Sequence, residues 1–383
     1  MRTCLFLLSL STLLMNHASS HALETVKVGV VLRSVPELNS FAESLRNGIT
    51  LAANVFNTKT DETLKIELVP YSHQSGHDSV SAAGKKLIED HVSYVLGGEM
   101  SDDAFALAEE FQNKNILFMT ATASVPHLTE LHPMVFRACS ADDQVAVDLA
   151  KYVSTLKNVN HVGVIHNTLN AYTDSATTAF SENYIRFSEK QKRMTTVKEF
   201  SFASESPNFA TAVGEFKAAR IDLVVAFTLL ESLKLFFTSA TKIGLNPVYL
   251  GSDGWGTNQN AYHQMVETQP SKKFVGLRSE YWNPNAKFPA VSKFKDAFQK
   301  EFHHAPDGWS AIAYDSALVM FQAVAKAKNK KDVNEVAALI KNGTFHDTVT
   351  AATLKYNSKN SPEKPLYLYQ INSAGFKLLE TLK

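Results

Sequence analysis

The sequence predicts an α/β protein built of two Rossmann-like, doubly wound lobes packed side by side. Short, β-branched, nearly continuous apolar runs alternate with segments of helical period from residue 26 to residue 251. That is the pattern of parallel strands covered by helices on both faces. The alternation comes in two series of similar length that separate near Arg137. The chain of 383 residues also has the length of two domains at roughly 100–200 residues each, and no low-complexity tract or long flexible linker divides it.

The first series opens with strand 26–32 (VKVGVVL), a buried-strand pattern. Helix 40–56 places Phe41, Leu45, Ile49, Ala52, Ala53 and Phe56 on one face, and Ser40 with Glu43 three residues on reads as a capping box. Strand 64–70, helix 78–91, strand 94–96, helix 102–113 and strand 116–120 complete it. The second series runs helix 142–155, strand 161–166, helix 173–190, strand 195–200, helix 209–220, strand 223–227, helix 230–243 and strand 248–251. Right-handed crossovers wind each series into a sheet with its ligand chemistry at the carboxyl ends of the strands.

Residues 1–22 read as a secretory signal. Arg2 precedes the apolar run LFLLSLSTLLM, and Ser20-His21-Ala22 supplies the small residues that a signal peptidase reads. The run is too short to span a bilayer, which takes about 20 apolar residues. Cys4 precedes it, so it is not a lipid-attachment site. An exported, unanchored, periplasmic chain beginning at Leu23 is expected. The 38 basic and 38 acidic residues balance, which argues against a partner of nucleic acid or anionic membrane. Removing residues 1–22 takes away Arg2, no acid, and one of the two cysteines, leaving Cys139 as the single thiol.

Several chemistries find little support. The sequence has no G-x-G-x-x-G, no phosphate-binding G-x-x-x-x-G-K-[ST] and no G-x-S-x-G elbow. His73 and His77 are separated by Ser75 and Gly76, so a loop is expected there rather than a metal-binding helix face. His303 and His304 are adjacent and do not readily point at one ion. No metal, cofactor or catalytic residue is therefore expected, and Cys139 is read as a buried small hydrophobe.

The positive signal lies at strand ends. Ser101 sits where strand 94–96 turns into a helix, beside free backbone N–H groups that suit a carboxylate, although the same serine could simply cap that helix. Thr122 and Ser124 follow the next strand and add donors on the same rim. In the second series Tyr172 follows strand 161–166 and Asp253 follows strand 248–251. A carboxylate facing a donor-rich rim across a cleft suits a zwitterion.

The segments VKVGVVL, YVLGGEMSDDA, ILFMTATASVPHLT, VFRACSADDQ, HVGVIHNTLNAYTDSA, DLVVAF, YLGSDGW and AIAYDSAL, in this order and spacing, resemble the type I periplasmic binding proteins of the leucine/isoleucine/valine-binding family. The resemblance implies two lobes joined by three crossovers. It puts residues 23–140 and 277–352 in the first lobe, and 141–276 and 353–383 in the second. It further implies hinge closure on a small ligand, an amino acid or amide-like analogue, and delivery to the permease of an ABC transporter. By the same resemblance Ser101 and Ser124 hold the ligand carboxylate with the main chain near Thr122, and Asp253 pairs with the ammonium. Tyr172, Tyr314, Phe41 and Trp255 supply apolar walls. The sequence departs from the family at Arg33, in the turn after the first strand (residues 32–37), at Glu99 before Ser101, and near Leu229, where a cleft tyrosine is replaced. Arg33, Glu99 and Leu229 are therefore read as candidates for side-chain selectivity. A secreted α/β enzyme acting on a small polar metabolite, or a ligand-sensing module for a receptor, are the alternative readings.

Overall fold

The computed structural model describes residues 23–36, 39–60, 63–204, 206–256, 262, 264, 265, 267, 276–372 and 375–382. The expected signal segment 1–22 and Glu37 of the first turn lie outside the described residues.

The first sheet has five strands: β1 (Glu24–Arg33), β2 (Leu64–His73), β3 (Tyr94–Gly97), β4 (Leu117–Thr120) and β5 (Val135–Arg137). Their order is β2-β1-β3-β4-β5 and every pairing is parallel. Alternation along β1 decides what each face covers. Val28 and Val30 join the core shared with α1 (Asn39–Lys59), whereas Val31 joins the core beneath α2 (His77–Glu89) and α3 (Ser101–Phe111). Burial on both faces is the physical reason residues 28–32 of this strand are all apolar, whereas Lys27 before them is exposed.

The second sheet runs β12-β11-β10-β9-β8-β6-β7. It contains β6 (His161–Asn167), β7 (Thr196–Phe202), β8 (Leu223–Phe227), β9 (Val248–Gly251), β10 (Gly276–Glu280), β11 (Leu366–Asn372) and β12 (Gly375–Leu382). Helices α5 (Asp142–Thr155) and α6 (Ala171–Lys190) cover one face through residues such as Leu149 and Phe180. Helices α7 (Ala210–Ala218) and α8 (Leu230–Lys242) cover the other, where Phe209, Phe216 and Phe236 pack edge to face or tilted. A short helix α4 (His127–Leu131) belongs to the first lobe. After β10 the chain continues with α9 (Pro289–Phe302), α10 (Gly308–Lys326) and α11 (Val333–Asn342). Helix α10 packs along α1.

The expected two α/β lobes and three crossings are present, at residues 138–141, 281–288 and 343–365. Four details differ from the sequence reading. Residues 277–280 lie in β10, which pairs with β9 and β11, so they belong to the second sheet rather than the first lobe. Beyond residue 353 the chain still leans on the first lobe: the Asn360 amide donates to Pro133 O at 3.0 Å and Val135 O at 3.2 Å, and the second sheet resumes only at Leu366. Strands β11 and β12 run antiparallel, so the second sheet is mixed at one edge. Helix α1 starts at Asn39, which places Ser40 inside the helix instead of at its cap.

The turn from β3 into α3 depends on glycine. Gly97 has φ +136°, and a Cβ there would lie 1.9 Å from Val31 O. Gly98 has φ +58° and donates its N–H to the same carbonyl at 3.1 Å. Gly97→Ala is expected to lower the unfolding free energy by at least ~2 kcal/mol. Gly214→Ala, in α7 with open space around the added methyl, should instead raise it by ~0.5–1 kcal/mol. Urea unfolding of the two variants checks both signs.

Candidate functional site

The carboxyl ends of both sheets face a cavity of about 900 Å³, within the roughly 300–1,000 Å³ of small-molecule sites. From the first lobe Phe41, Met100, Ser101, Thr122, Ser124 and Trp309 border it; from the second come Tyr172, Leu229, Glu231, Lys234 and Asp253.

The first-lobe rim is held by hydroxyls. Thr120 Oγ1 donates to Gly98 O at 2.8 Å and Thr122 Oγ1 to Glu99 O at 2.7 Å, tying the β4 loop to the turn before α3. A hydroxyl has one proton, so Thr122 has none left for a bound anion, and only its main chain can donate. Ser101 is the first residue of α3; Met100 is the N-cap and makes no side-chain cap bond, so Ser101 is not the helix cap. Ser124 is bonded to the Asp142 carboxyl, whose pKa complete burial raises well above the usual carboxylate range against the opposing effect of that bond.

Arg137 fixes this loop. Its guanidinium is wholly buried and donates to Ser124 O, to Val125 O at 2.6 Å, to Pro126 O at 3.2 Å and to Thr129 Oγ1 at 3.1 Å.

On the opposite rim, Asn170 caps α6 and sets Tyr172 in its first turn, where the phenol is bonded to Ser252 Oγ. Asp253 opens the short turn Asp253–Trp255 after β9. Burial, with the nearby Glu280 carboxylate, raises the Asp253 pKa to about 6 against the opposing pull of Arg278. Arg278 is itself buried and paired with Glu280.

Phe41, Glu99, Ser101, Thr122, Ser124, Tyr172, Leu229, Trp255 and Asp253 thus all border one cavity. Trp255 does so as a wedge: its indole is fully buried, donates to Ala226 O at 2.8 Å and covers Gly251, where a Cβ would be 2.1 Å away. Two candidates are not brought to the lining. Tyr314 is buried in α10 against Phe294 at 4.9 Å, and Arg33 turns to Asp103, Nη2 to Oδ1 at 2.6 Å. Trp309 takes the wall position instead, edge-on to Phe41 at 4.5 Å. It was missed by sequence reasoning, although Asp307 three residues before Ser310 ahead of an apolar run is a helix-start signal, and the two do form a capping box. Cys139 is buried as expected, and its thiol pKa is pushed up to about 12 by burial.

Two α/β lobes with a polar, partly aromatic cleft between them define a two-lobed ligand-binding protein. The family model described as periplasmic binding protein matches residues 25–376, and the chain belongs to that family. It is 24% identical to the Leu/Ile/Val-binding protein BraC3 of Rhizobium johnstonii over 323 residues, covering 83% of this chain and 84% of that protein. The branched-chain amino acid transporter substrate-binding protein LivJ from Streptococcus pneumoniae, solved with isoleucine, superposes with a TM-score of 0.79 at 19% identity, over 94% of this chain and 99% of that one. A solute-binding protein of an ABC transporter from R. palustris, solved with 4-hydroxybenzoate, gives a TM-score of 0.80 at 18% identity, over 94% and 97%. No helix among the described residues is long and apolar enough to cross a membrane.

Replacing Arg137 by Met removes the donors to all four acceptors in a buried loop and leaves the Ser124 and Val125 carbonyls only the backbone N–H groups of Asp142 and Leu128. A loss of at least ~3 kcal/mol in unfolding free energy is expected, against ~1 kcal/mol for Thr129→Ala, which removes one partner. Guanidinium unfolding of both variants measures the ratio.

Proposed function

We propose that this protein is an extracytoplasmic receptor that captures an amino acid, or a close analogue, between its lobes and presents it to an ABC-transporter permease without chemical change. One observation carries the reading: a donor rim of Ser101, Ser124 and the Thr122 main chain faces Asp253 and Tyr172 across a single cavity. Carboxylate and ammonium of a zwitterion need such opposed partners. Ligand docks on the first rim and the Asp253 lobe closes on it; closure is limited by the ligand's differential affinity for the open and closed forms. Its side chain meets Phe41, Trp309, Met100 and Leu229, an apolar enclosure. Family membership supports a binding rather than a catalytic role and an extracytoplasmic location.

A thermal-shift panel of α-amino acids, short amides and benzoates identifies the ligand class, because a ligand that binds only the folded state raises its stability. Aliphatic amino acids are expected to shift the transition, and Asp253→Asn is expected to abolish that shift while leaving the unliganded transition within a few degrees. A response confined to benzoates, or product formed from any hit, overturns the reading.

The pH dependence has a defined sign. An ammonium binds ionised Asp253, and in the unliganded cleft that carboxyl takes up a proton below about 6. Protons therefore compete with the ligand, and affinity is expected to fall about tenfold per pH unit below that value. Calorimetric titration from neutral to acidic pH checks it, with Asp253→Asn as the variant in which the slope disappears.

A further inference from the structure

Outside the ligand rims, three acceptors converge in the first lobe. His73 ends β2, Glu99 lies in the turn before α3, and Asp103 is in the first turn of α3. All three are buried, each 3% exposed. One ligand-capable atom from each lies within 4.8 Å of the other two.

The imidazole orientation gives this cluster its direction. His73 Nδ1 is 2.9 Å from Gln74 O. A carbonyl only accepts, so Nδ1 carries a proton, and in the neutral ring Nε2 presents a lone pair. Nε2 has no hydrogen-bond partner among the described residues, and it is 3.9 Å from Asp103 Oδ2. Glu99 Oε2 is equally buried and unpartnered, while its Oε1 accepts from Arg33 N at 2.5 Å. Arg33 donates to both Asp103 oxygens, Nε to Oδ2 at 3.1 Å and Nη2 to Oδ1 at 2.6 Å. With the Arg33 guanidinium paired to Asp103, no cationic side chain among the described residues is paired with Glu99, whose Oε1 is held by a backbone N–H. A lone pair and a carboxylate oxygen aimed into one buried space repel unless a cation or a proton lies between them.

We propose that His73 Nε2, Glu99 Oε2 and Asp103 Oδ2 form a site for a divalent first-row cation of the zinc type. One imidazole nitrogen with carboxylate oxygens is a donor set such ions accept. The proton of Nδ1 on a backbone carbonyl is the outer-shell arrangement that orients metal-bound histidines. Ligand atoms around a tetrahedral zinc are ~3.3 Å apart, so binding draws the three groups together by about 1 Å or less each way, and Arg33 stays as the outer partner of Asp103. The ion would brace the turn that presents Ser101, because Glu99 O accepts from Thr122 in the same turn. This site does not depend on the identity of the cleft ligand.

The test uses the purified protein, stripped with chelator and titrated with zinc sulfate, with bound metal measured after desalting. A single zinc per chain is expected for the wild type. It should be lost in His73→Ala and weakened at least tenfold in Glu99→Gln, and retained in His77→Ala, an exposed histidine near Glu109. Cobalt loaded into the wild type should show visible absorption bands that zinc abolishes, a readout independent of how well the variants fold. A wild type that takes up no zinc, as when a proton shared between Glu99 and His73 fills the space, overturns the proposal. So does zinc uptake that survives both His73→Ala and Glu99→Gln.

Discussion

One buried residue, Arg137, ties the rim loop of the first lobe to the crossings between the lobes. Arg137 is the last residue of β5, immediately ahead of the first crossing between lobes, and its side chain reaches back to the Ser124–Thr129 stretch of the rim. Its backbone N–H donates to Asn360 O at 3.3 Å, and the Asn360 amide donates in turn to the segment before β5. The first and third crossings and the anion-facing loop are therefore parts of one hydrogen-bonded unit. A charge so deep in the protein is tolerable because carbonyls surround it. The same bonds fix the Ser124–Thr129 loop at the edge of the cavity.

The second lobe shows the complementary constraint. Its sheet ends in acid: Asp253 after β9 and Glu280 at the end of β10, with Arg278 between them. Burial is the main cause of the raised Asp253 pKa, and the Glu280 carboxylate adds to it against the pull of Arg278. A cationic group on that rim would relieve this repulsion, which supports the proposed zwitterion over a simple anion.

Much of this was legible in the sequence because apolar runs and helical periods report burial directly. VKVGVVL and LVVAF are buried on both faces of their sheets, and the hydroxyls and the acid predicted at strand ends do line one cavity. What escaped depends on tertiary choices. The antiparallel pair β11 and β12 has a largely exposed outer strand, GFKLLETL, whose weak alternation carries little signal. Tyr314 follows Trp309 on the same helix by five residues, and only the packing of α10 on α1 decides which of the two rings faces the cleft. His73 and Glu99 are remote in sequence, and their approach follows from β2 and β3 both flanking β1.

The same tertiary geometry changes the meaning of the residues that depart from the family pattern. Arg33 and Glu99, read as polar intruders in a side-chain pocket, are engaged with each other and with Asp103 behind the rim. Glu99 borders the cavity, but its carboxylate is buried away from solvent. The walls left for a ligand side chain are then Phe41, Trp309, Met100 and Leu229, and burying a Leu-sized group against such surfaces contributes about 1.5–3 kcal/mol. Specificity for an apolar side chain and a charged cluster in the same turn are compatible because the turn has two sides. Met100 and Ser101 border the cavity, and the Glu99 carboxyl faces the other way, toward His73.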